Sequence, residues 1–180
     1  MDAGDGGERG KARESAGATE SGPSSEFGAA LIVCYGNALR SDDGLGWHAA
    51  QLLEHDPRLQ GARVLWRHQL TPELAVDISN APLVVLVDAS EGDEPGVISV
   101  RRLDSDSGPA AGSAWSHHVG PEELAALARE LWKAAPPVFV VSVGVANLDT
   151  GEQLSPAVEQ ALPGLVETVV DLVGRQGTPG

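Results

Sequence analysis

Leu31-Ile32-Val33-Cys34-Tyr35, followed at once by Gly36-Asn37-Ala38-Leu39-Arg40-Ser41-Asp42-Asp43-Gly44-Leu45-Gly46, decides the fold. The first stretch, residues 30–35 once Ala30 is included, is apolar without alternation, the pattern of a strand buried on both faces. The second is a loop that gives way at Gly44 to a helical pattern, residues 44–55, with Leu45, Ala49, Leu52 and Leu53 along one side. A buried strand that feeds an amphipathic helix through a short loop is the opening of a parallel α/β unit.

The unit repeats downstream. Residues 64–66 begin a second strand, and residues 72–79 form a short helix with Pro72 in its first turn. Leu83-Val84-Val85-Leu86-Val87 is another fully apolar strand, ending at Asp88. Residues 96–103 alternate and read as an edge or antiparallel strand; residues 104–113 are a Gly, Ser and Asp loop. Residues 121–133 form a helix with Leu124, Leu127, Ala128 and Leu131 at helical spacing, and residues 138–143 are a further buried strand. A closing helix over residues 156–173, capped by Ser155, carries Val158, Leu162, Leu165, Val166, Val169 and Val170. The expected architecture is a three-layer α/β sandwich: a mostly parallel, twisted sheet of about five strands with helices on both faces. Ligands of such sheets sit beyond the carboxyl ends of the strands, so the chemistry belongs just after Tyr35 and Val87.

The flanks carry no such pattern. Residues 1–27, rich in Gly, Ser, Glu and Ala, bury too little to offset ordering entropy and are expected to be a disordered tail, as are residues 176–180; residues 28–175 form the single domain. The chain has 180 residues, with 12 Lys and Arg against 26 Asp and Glu. That acidity disfavours nucleic acid and anionic membrane and suits a basic protein partner or a metal cation. The single cysteine, Cys34, lies inside an apolar run, where a structural thiol is expected rather than a nucleophile, and no intramolecular disulfide can form. No stretch reaches the roughly 20 apolar residues of a membrane span, and the N-terminus lacks an apolar signal core, so a cytoplasmic protein is expected.

Three segments bring polar groups to the expected strand ends. The loop holding Asp42 and Asp43 has neither the Gly-x-Gly-x-x-Gly spacing nor the Lys-Ser/Thr of a phosphate loop, and two acids there repel phosphate. Both acids suit capping of the following helix; Asp43 equally suits a ligand role. Asp88 directly follows a buried strand and either faces the crevice or closes a turn with Ser90. Ser116-His117-His118 precedes a helix and is either a solvated turn or a source of imidazole. Two carboxylates and an imidazole would make a nitrogen and oxygen site for a metal such as nickel or zinc. His48 and His55 receive no role, while His68, after the second strand, could line the crevice. Neither a Gly-x-Ser-x-Gly elbow nor His-Glu-x-x-His occurs.

Gly36-Asn37-x-Leu39-x-x-Asp42-Asp43-Gly44-x-Gly46 after a buried strand resembles the signature of the nickel–iron hydrogenase maturation peptidases. The strand ending at Asp88, then Ser116-His117-His118-Val119-Gly120, then Leu154-Ser155-Pro156-Ala157-Val158 resemble later family segments in the same order, so the likeness spans about residues 29–174. The resemblance implies an endopeptidase that removes the C-terminal extension of a nickel-loaded hydrogenase large-subunit precursor. Asp43, Asp88 and His117 stand at its metal-binding and catalytic positions, with His118 the substitute if the loop is shifted by one. Nickel would come with the substrate, zinc or cadmium serving as surrogates, and a monomer is expected. Either the metal or a carboxylate would activate the water. Two departures stand out. Where many members carry Asp-Gly-Gly-Thr, this chain has Arg67-His68-Gln69-Leu70-Thr71, leaving His68 or Gln69 in its place; where members often have Gly-x-Glu-Pro, it has Gly144-Val145-Ala146-Asn147. The first departure keeps a second reading open, a maturation factor that binds the large subunit without cutting it; a generic ligand-binding α/β domain is the third.

Overall fold

The computed structural model describes residues 29–103 and 119–176. Their sheet has five strands, β1 (Leu31–Tyr35), β2 (Arg63–Arg67), β3 (Val84–Pro95), β4 (Ile98–Arg102) and β5 (Val138–Gly144). The spatial order is β2-β1-β3-β5-β4. Neighbours pair in parallel except β4, which runs antiparallel to β5 at the edge. The helices are α1 (Leu45–Glu54), α2 (Leu74–Ser79), α3 (Pro121–Trp132) and α4 (Pro156–Gln176). The expected three-layer α/β sandwich is the observed one.

Strand alternation divides the core in two. Ile32, Cys34, Val85, Val87, Val141 and Val143 point to one face, where Leu45, Ala49 and Leu53 of α1 and Val158, Leu165 and Val169 of α4 cover them. Leu31, Val33, Val84, Leu86, Val138 and Val140 point to the other, under Leu74 and Ile78 of α2 and Leu124 and Ala128 of α3. Central strands buried on both faces explain their unbroken apolar runs. Glu123 returns its side chain to the Gly120 N–H at 2.9 Å, which starts α3, and Lys133 in the left-handed region ends it.

Several boundaries differ from expectation. β3 continues past Asp88 to Pro95. Of its added residues, Ala89 and Ser90 are half-buried and Glu91 to Pro95 exposed, and it regains β5 only across a register shift at Gly144, so no apolar pattern marks them. α2 starts at Leu74, since residues 71–73 form turns instead. A short 3-10 turn, Ser41–Gly44, precedes α1, and neither Asp42 nor Asp43 caps a helix through its side chain. Ser155 does not cap α4 with its hydroxyl, which is committed to Asp42. The residues expected as a tail, together with His117 and His118, lie outside the described residues. Among the described residues, no helix is long and apolar enough to cross a membrane.

Candidate active site

From β1 the chain moves outward to β2, then returns to place β3 on the other side of β1. The carboxyl ends of β1 and β3 therefore flank a topological switch point, where doubly wound sheets open a crevice. Tyr35 and the following loop enter it from β1, and Asp88 from β3.

Two glycines allow that loop to fold back on the strand end. Gly36 has φ +137°, and a Cβ there would lie 2.1 Å from the Asp43 carbonyl oxygen. At Gly46 a Cβ would lie 2.3 Å from the Tyr35 carbonyl oxygen. The glycine pattern serves backbone crossing, not phosphate. Asp43 is drawn over Gly36, and its Oδ2 accepts the Asn37 N–H at 3.1 Å.

Asp42, one residue earlier, points the other way and is fully buried. It accepts the Ser155 N–H at 2.6 Å, the Ser155 hydroxyl at 2.9 Å, and the N–H groups of Ala146 and Asn147 at 2.9 Å each. Backbone bonds reinforce the junction: Ser41 N–H to the Gly151 carbonyl at 2.7 Å, Asp42 N–H to that of Asn147 at 3.0 Å, and Gly151 N–H to that of Leu39 at 3.0 Å. Burial raises the Asp42 pKa, but the N–H donors of Ser155, Ala146 and Asn147 and the Ser155 hydroxyl outweigh it, and the net shift is downward. Asp42, its ionised form favoured by these donors, clasps the loop of β1 to the start of α4. Neither a capping nor a ligand role fits it.

Asp88 has no such donor set. Alternation places it on the face of Val84 and Leu86, and Ser142 of β5 is its register partner. Extending the β1–β3 register by one residue sets Tyr35 at its other side. Burial pushes the Asp88 carboxyl above its usual range; the nearby Tyr35 hydroxyl and Ala89 N–H draw it down, the Asp43 charge pushes it up and the Arg101 guanidinium draws it down. The net direction is upward. Asp43 lies near enough to Asp88 for its charge to act on it.

Among the described residues, no three His, Cys, Asp or Glu side chains gather as a metal site. Asp43 and Asp88 supply two oxygen donors, and the expected third, His117, lies outside the described residues, as does its substitute His118. Two hard carboxylates, one of them with few donors, suit a divalent cation. His68 is exposed in the bend after β2, with Arg67 and Gln69 exposed beside it. His48 stacks edge-on against Trp47 and His55 bonds the Gln51 carbonyl at 2.8 Å, so neither is directed to the crevice chemistry. Cys34 is fully buried, and burial pushes its thiol up to about 12, which removes it as a nucleophile. A cavity of about 360 Å³ bordered by Ile78, Arg102, Glu122 and Pro137 contains neither aspartate.

Tyr35 is the residue that sequence reasoning left in the core. A tyrosine that ends a fully buried strand was the available signal, because its hydroxyl must find a partner or stay orphaned.

Solved structures with the same fold include the hydrogenase maturating endopeptidase HybD from E. coli, with a TM-score of 0.63 at 20% identity, covering 83% of this chain and 94% of that one. The hydrogenase 2 maturation peptidase from Thaumarchaeota archaeon SCGC_AB-539-E09 gives 0.61 at 24% identity, with 81% and 98% covered. The [NiFe] hydrogenase maturation protease HycI from Thermococcus kodakarensis KOD1 gives 0.63 at 19%, with 83% and 95% covered. No curated protein sequence matches the chain. The model of the hydrogenase maturation protease family matches residues 69–172, more than half of the chain. The match includes Asp88 and the start of α4, and it begins downstream of the Gly36 to Gly46 loop. With sheet, crevice and family match in agreement, the chain belongs to the hydrogenase maturation protease family and is an enzyme of the peptidase class.

Proposed function

We propose that this peptidase removes the C-terminal extension of a nickel-loaded [NiFe] hydrogenase large-subunit precursor, and that it recognises the nickel its substrate carries. The observation that carries the reading is the convergence of Asp43 and Asp88 at the switch point, with Asp88 half-buried and short of donors. A carboxylate in that condition gains by meeting a cation, so a metal delivered with the substrate is bound where the enzyme alone is least satisfied. Asp43, Asp88 and His117 are the ligands in this reading, and the scissile bond lies beside them. Substrate nickel acts as a Lewis acid on the carbonyl or on water. The alternative is a carboxylate base, for which the raised pKa of Asp88 is the more suitable, and the chemistry is then of the aspartic type. Loss of the tail activates the hydrogenase, and zinc or cadmium can stand in for nickel in binding tests. The net charge of -14 fits a basic docking surface on the large subunit; a monomeric enzyme in the cytoplasm completes the reading.

The second reading, a factor that binds the precursor without cutting it, draws on the exposed Arg67-His68-Gln69 where many members carry an aspartate. One experiment separates the two. A nickel-loaded precursor is incubated with the protein, with His117→Ala as control, and the large subunit is weighed by mass spectrometry. Nickel-dependent loss of a C-terminal peptide, absent with the variant, is the expected result. An intact precursor held in a stable complex would establish the binding factor instead. An intact precursor with no complex would refute both.

A further inference from the structure

The Tyr35 hydroxyl is buried and is the one buried side-chain polar atom among the described residues with no hydrogen-bond partner. Buried tyrosine hydroxyls ordinarily find one, so an orphan at a crevice calls for a reason. The surrounding groups are already committed. Glu122 receives Arg101 at 2.5 Å, and Asp43 Oδ2 receives the Asn37 N–H at 3.1 Å. The carboxylate left beside the hydroxyl is that of Asp88, on the same sheet face and one strand away, near enough for each group to perturb the other, although no formed hydrogen bond joins them. Tyr35 cannot approach from elsewhere, since its backbone is fixed in β1 and pressed by Gly46.

We propose that Tyr35 is a positioning residue of the metal site, its hydroxyl donating to one oxygen of Asp88 so that the other is presented to the metal. The inference rests on the reading of Asp43 and Asp88 as ligands. A ligating carboxylate with two free oxygens can bind a cation through either or both; a donor held on one of them fixes the choice and the angle. Outer partners of this kind typically change metal affinity by 10–100-fold. The phenol supplies the donor without adding a charge, and the orphaned state is the form that precedes binding.

The test uses the full chain and cadmium alone as the probe. Affinity is measured by calorimetry, the ligand field by cadmium-113 NMR and folding by thermal melting, for wild type, Tyr35→Phe and Asp88→Ala. The expected result is that Tyr35→Phe binds about tenfold or more weakly, with a shifted cadmium resonance and an unchanged melting temperature. Unchanged affinity and resonance would overturn the proposal while leaving the ligand reading intact, provided Asp88→Ala abolishes binding. Weaker binding with an unshifted resonance and a lowered melting temperature would make Tyr35 a packing residue, which also overturns it. Wild type that binds no cadmium, or Asp88→Ala that binds as well as wild type, would remove the ligand reading itself, and the proposal with it.

Discussion

Asp42 and Asp88 both lie at the carboxyl end of one sheet, Asp42 buried and Asp88 half-buried, and they have opposite characters. Asp42 is met by three N–H groups and a hydroxyl, and its pKa falls. Asp88 is raised first by burial and then by the charge of Asp43; Tyr35, the Ala89 N–H and Arg101 draw it down without offsetting that, and its pKa rises. Desolvation raises both, and the donors around Asp42 are what turn its shift downward. A carboxylate well supplied with donors holds a structure together; one supplied with few is left ready for something else. Adjacent residues in the loop divide along the same line, with Asp42 turned to the α4 junction and Asp43 to the crevice.

The largest effect that can test this contrast is at Asp42. Asp42→Ala strands four donors, and an unsatisfied buried donor costs about 1–3 kcal/mol; a loss of about 3 kcal/mol or more is expected in a denaturant titration, allowing for relaxation. A loss below about 1 kcal/mol would mean that water replaces the carboxylate and that the clasp is dispensable. Ser155→Ala removes only the hydroxyl donor and leaves the N–H bond, so about 1 kcal/mol is expected by the same measurement.

At Asp88 the expected effect is smaller and of opposite sign. A carboxyl whose folded pKa is raised holds its proton more tightly in the native state. It therefore destabilises the fold as pH rises from the unfolded value near 4 through the raised folded value, and fully above it. Asp88→Asn should melt at a higher temperature than wild type at pH 7, and the gap should close as the pH is lowered towards 4. Asp42 runs the other way, contributing stability above its unfolded pKa and losing it as pH falls through the lowered folded value. Should Asp88→Asn melt below wild type at pH 7, Asp88 would be a structural acid like Asp42 and the contrast would collapse.

Much of the fold was legible because burial leaves a mark on sequence. The runs at residues 31–35, 83–87 and 138–143 can be explained only by strands covered on both sides, and the stripe of α4 gave its buried face. The β3 extension was hidden because Glu91 to Pro95 are exposed and carry no period. At the crevice, the positions of Asp43 and Asp88 were readable from the buried runs of β1 and β3 that precede them. The role of Asp42 was not, since its partners lie more than 100 positions away and three of its four bonds come from backbone N–H groups, which every residue but proline possesses. Tyr35 was misjudged for a related reason: its ring belongs to the core, and only its last atom belongs to the crevice.

The Asp42 clasp also sets a clock. Its bonds join residues 104 to 113 positions apart, and the loop they fix is the one that presents Asp43. A chain emerging from the ribosome in order holds both carboxylates of the crevice long before it holds Ser155. Until that serine arrives, the loop has nothing to close against, and the two carboxylates exist without their arrangement. The protease is thus assembled from its far end, and an incomplete copy has the residues of the site but no competence to use them.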